Sequence, residues 1–120
     1  MSYEFYKVLH LTGIFMVFSA VGAHFLNGLN GGSKDFVGKK LVGLMHGIGL
    51  LVAFIAGFGL LARLGLGSWP GWLYLKILIW IFFGIVIILP RKKPEWTGAI
   101  WITTLLVGVA AAYLARFKPF

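Results

Sequence analysis

Four ionisable side chains of this 120-residue chain lie within or at the edge of its apolar stretches: His10, His24, His46 and Lys76. His10 and His24 stand fourteen residues apart on one segment. Fourteen steps of an α-helix return almost to the same face, ~21 Å further along the axis. Imidazole is a strong axial ligand for haem iron and for other metals. A helix with two imidazoles on one side, one near each end, can ligate iron or another metal at both ends, or hydrogen-bond its neighbours. The residues leave both readings open.

The elements that must carry these groups are membrane helices. The chain is 60% hydrophobic and 12% charged, beyond what a soluble domain of this size tolerates. Charge-free runs cover Val8–Ser33, Leu41–Ala62, Ile77–Pro90 and Trp96–Ala115. Helices are the expected spanning form, because each satisfies its own backbone polar groups in hydrocarbon. The expected fold is all-α: one antiparallel four-transmembrane-helix domain over residues 1–120, with short loops and helices at about 3–26, 37–64, 72–89 and 95–115. Asn27-Gly-Leu-Asn-Gly-Gly-Ser33 breaks the first helix, Gly65-Leu-Gly67-Ser-Trp-Pro70 the second and Pro90 the third. Pro94 suits the first turn of the fourth. The first span is expected to be retained rather than cleaved as a signal peptide, since Glu4 offsets Lys7 in its N-region.

The absence of cysteine excludes thiol redox chemistry, Fe–S clusters and covalent haem attachment. Glu4, Asp35 and Glu95 lie at turns or ends, which argues against a carboxylate metal centre or a carboxylate proton relay. The formal charge of +8 flanks the apolar spans and suits anionic lipid headgroups of the bilayer better than nucleic acid. Let side A be the side of the N-terminus. Side B then collects Lys34, Lys39, Lys40, Arg91, Lys92 and Lys93; side A has Lys7, Arg63, Arg116 and Lys118, with Lys76 if it reaches the surface. The positive-inside bias puts B in the cytoplasm of a bacterial-type inner membrane and the termini outside. Tyr3, Tyr6, Tyr74, Tyr113, Trp69 and Trp72 belt side A, with Trp96 and Trp101 towards B. Small residues recur every four positions as Gly43, Gly47 and as Gly49, Ala53, Gly57. Such faces allow close helix packing, a homo-oligomer seam or a slot for a planar ring.

Antiparallel helices bring groups of equal depth together. His10 and Lys76 share the A half; His24 and His46 share the B half. A bis-histidine pair between helices suits b-type haem. Lys76 would ligate only as the neutral amine, the form that apolar surroundings favour. Plainer roles compete. Lys76 can snorkel to side A, His24 can sit in the wet interface, and His46 can bond a carbonyl across the glycine-rich packing.

The segments Tyr6-Lys-Val-Leu-His10-Leu-Thr-Gly13, Leu44-Met-His46-Gly-Ile-Gly and Gly71-Trp-Leu-Tyr-Leu-Lys76 resemble a loose group of small four-helix membrane proteins. That group includes the SirB family, the HemJ-type protoporphyrinogen oxidases and CopD-like domains. The SirB-like parts are the second-helix histidine and the ending Tyr113-Leu-Ala-Arg-Phe-Lys-Pro119. The HemJ-type likeness implies b-type haem held by His10 and Lys76, with electron transfer or porphyrin redox chemistry and so a possible haem-dependent oxidoreductase. HemJ-type third helices carry a Tyr-His pair after the lysine, where this chain reads Trp80-Ile-Phe-Phe-Gly84. The likeness therefore carries haem binding further than oxidase activity. His24 and His46 would form a possible second metal site. The rival expectation is a haem-free membrane scaffold, assembly partner or transporter subunit.

Overall fold

The computed structural model describes residues 2–65 and 69–117, and no strand occurs among them. Helix α1 spans Tyr3–Leu29, α2 Lys39–Leu64 and α3 Gly71–Ile85. A 3₁₀ turn at Val86–Ile88 leads into the short α4, Leu89–Lys92. A second 3₁₀ turn, Pro94–Trp96, opens α5, Thr97–Phe117. Four stretches, with Gly71–Lys92 as the third, are long and apolar enough to cross a membrane. Their outward faces carry Val8, Phe15, Leu41, Leu51, Leu78, Ile102 and Leu106 openly, as lipid-facing surfaces do. This is a multi-pass membrane protein built as an all-α four-helix bundle.

The helices run antiparallel around α1. A Cβ on Gly13 would lie 2.6 Å from the Ala53 amide nitrogen and 2.8 Å from the Gly49 carbonyl oxygen. A Cβ on Gly49 would meet Met16 Cβ at 2.8 Å. Backbone therefore lies on backbone where α1 crosses α2, the close approach that small residues permit in lipid. The Gly49, Ala53, Gly57 face is spent on α1, whereas Gly43 and Gly47 look into open space. On the other side of α1, Phe18 covers Gly108 of α5, and Phe25 packs its ring 5.6 Å from Trp101. Val17, Val21, Phe25, Phe83 and Val86 form the buried cluster.

The boundaries differ from expectation in three informative places. First, α1 continues past Asn27 to Leu29, because Gly28 is packed against Thr97 and Pro90. Second, the chain stays helical through Pro90. Proline has no N–H for the Val86 carbonyl, and the Leu89 N–H takes that carbonyl instead, tightening the turn to 3₁₀. Third, Trp72, expected on the aromatic belt of side A, is buried against the protein. In the loop after α1, Gly32 has φ +74° and lies against the Pro90 carbonyl and the Pro94 ring. The expected break after α2 begins at Gly65, a left-handed C-cap; its Leu66–Ser68 portion lies outside the described residues.

Gly13→Leu or Gly49→Leu is expected to lower stability by ~3 kcal/mol or more, since backbone cannot move aside. Gly43→Leu should change it by less than ~0.5 kcal/mol. Reversible unfolding in mixed detergent micelles checks both.

Candidate functional site

Each histidine is placed by the α1–α2 crossing. His10 stands one turn towards side A from Gly13. Its Nδ1 donates to the Ala53 carbonyl oxygen at 2.7 Å. Gly57 makes this approach possible, because a Cβ there would sit 3.2 Å from His10 Cε1. The donated proton fixes the tautomer and leaves Nε2 with its lone pair. The ring is half-buried, and Lys76, also half-buried, lies within electrostatic range of it. The backbones of α1 and α3 stay apart, meeting through side chains such as Phe18 on Phe83 at 5.0 Å.

Towards side B the two remaining imidazoles meet. His24 and His46 have ring centroids 6.3 Å apart at an interplanar angle of 80°. His46 Nε2 donates to the Phe83 carbonyl oxygen at 2.9 Å. Phe83 sits in the last turn of α3, where carbonyls run out of intrahelical donors, so His46 helps close that helix. His24 Nε2 is buried without a hydrogen-bond partner. Phe36, from the loop between α1 and α2, sets its ring 5.7 Å from His24. The exposed Arg91 is within electrostatic range of His24.

Of the depth pairs read from the sequence, His24 with His46 is in ring contact, while Lys76 reaches His10 through its charge. The partners that orient the rings are not legible in the sequence. Ala53 and Phe83 act through backbone carbonyls, which every residue has, and Phe36 comes from an irregular loop. A third bond across the interior, Trp80 Nε1–H to the Leu50 carbonyl at 3.0 Å, ties α3 to α2.

No family model, curated protein or solved structure matches the chain. The site is therefore argued from its own geometry. Two shallow surface hollows lie between the helices. One, of 310 Å³, lies between Phe18, Phe25 and Trp101; the other, of 240 Å³, lies between Phe82, Trp96 and Ile100. Neither is lined by a histidine. The His24–His46 pair is enclosed on all sides, at 4% and 6% exposure, which leaves no breadth for a macrocycle. His10 differs: one nitrogen is anchored, the other carries a lone pair, and the ring stays partly open. Of the three imidazoles, His10 is the one whose ring is not fully buried.

His10→Ala and His46→Ala should each cost ~1–2 kcal/mol, since each removes a hydrogen bond between helices. His24→Phe has no such bond to lose and should be neutral or stabilising in chelator-treated protein. Thermal unfolding followed by circular dichroism ranks the three.

Proposed function

We propose that this is a b-type haem-binding protein of a bacterial-type inner membrane that takes part in electron transfer or porphyrin redox chemistry. The observation that carries the reading is the His10 imidazole. Its Nδ1–H is held by the Ala53 carbonyl, so Nε2 is the basic nitrogen, within electrostatic range of Lys76. His10 and Lys76, the latter as the neutral amine, would hold the haem iron. When bound, haem would supply one-electron chemistry. The chain's part is to orient the His10 ring. Ala53 sets the ring plane and strengthens the imidazole as a donor. Gly57 leaves space for that ring. The resemblance of the His10 and Lys76 segments to HemJ-type proteins adds to this reading. Homo-oligomers would form through the open Gly43 and Gly47 face, since the other small-residue face is already covered.

Protein purified from haem-replete cells is expected to show a Soret band that His10→Ala abolishes and His46→Ala keeps. No Soret band and no uptake of added hemin would overturn the reading. The chain would then be a haem-free scaffold, assembly partner or transporter subunit, with its histidines serving as struts between helices.

Orientation has its own test, because the chain contains no cysteine. With the basic B end in the cytoplasm, Tyr74→Cys should react with a membrane-impermeant maleimide in spheroplasts. Lys34→Cys should react only after lysis.

A further inference from the structure

Buried polar atoms in folded proteins almost always have partners, and a buried atom that lacks one asks for a ligand. His24 Nε2 is such an atom, on a ring that is 4% exposed. The ring packed edge-on against it is His46, 6% exposed, with one nitrogen committed to the Phe83 carbonyl. That commitment leaves His46 Nδ1 as the nitrogen with the lone pair. Phe36 closes the loop side. An ion held at ~2 Å from one nitrogen of each imidazole would space the ring centroids by roughly 6 Å, and they are 6.3 Å apart.

We propose that His24 and His46 bind a monovalent d¹⁰ transition-metal ion, copper(I) in its biological form. The donor count selects the ion. Among the described residues, no group of three or more His, Cys, Asp or Glu side chains is placed to share a metal. A divalent ion such as zinc, which takes four donors, would be left short of ligands. It would also bring two charges into an apolar interior where no anion compensates them. The charged group within range of His24 is Arg91, which makes each further positive charge costlier. A d¹⁰ monovalent ion accepts two neutral nitrogens and carries a single charge. The site is independent of the haem reading, which uses the A half.

The test uses the full chain in detergent, with silver(I) as the redox-inert probe and copper(I) buffered by a competing chelator. The expected result is one ion per chain, with nitrogen-15 histidine resonances of His24 and His46 shifted and that of His10 unmoved. His24→Phe should weaken binding by more than about 100-fold, beyond the loss expected from disturbing a ligand's support alone. It breaks no hydrogen bond, so it separates ligation from folding. His10→Ala should bind silver as the native chain does, whatever becomes of its Soret band. Failure of the native chain to hold the ion against the chelator would overturn the proposal. So would retention by His24→Phe, or tighter binding of zinc(II) or nickel(II) than of silver(I).

Discussion

The contact on which the rest depends is the meeting of two main chains at Gly13, Gly49 and Ala53. Lipid gives apolar helices little reason to associate, so association must come from close approach and from polar bonds across the gap. With no Cβ at Gly13 or Gly49, α1 and α2 come near enough for a side chain of one to reach a carbonyl of the other. The His10 bond to Ala53 is possible only at that separation. The same crossing fixes the register of the whole hairpin, and register is what sets His24 beside His46 near side B.

From that pair outward, the bundle is assembled by side chains that donate to backbone. Trp80 donates to Leu50, and His46 donates to Phe83. Both join α2 to α3 from side chain to main chain. Both put a polar group to use where water is absent and an unmade bond would be costly. On the far side of α1, the contact with α5 is aromatic and apolar, through Phe18 and Phe25, with Gly28 seated on Thr97 at the B end. Thr97 Oγ1 is buried there without a partner, the second such atom at this end of the molecule besides His24 Nε2.

The four crossings were legible in the sequence because length and apolar content decide them, whatever the packing. Depth was legible too. Counting residues from a helix end gives height in the bilayer, and that is enough to pair His24 with His46. Azimuth was not legible. A small-residue stripe shows that a face can pack closely but not which neighbour it meets. Gly49, Ala53 and Gly57 therefore looked the same as Gly43 and Gly47, although only the first set is covered. The division of the third crossing was hidden for a related reason. Pro90 reads as a stop, yet a one-residue shift in hydrogen bonding at Val86 carries the chain past it.

That division gives the third crossing two unequal attachments. Above Ile85 it is fastened to α2 by Trp80 and His46. Below Val86 it is fastened to α1 and its loop, where Gly28 and Gly32 lie against Pro90. The joint between them sits where an α-helix gives way to a tighter winding. A mismatch between protein length and bilayer thickness is met by tilting or bending whichever part resists least. The change of winding falls in that crossing, while the hairpin of α1 and α2 is held by backbone contact at Gly13 and Gly49.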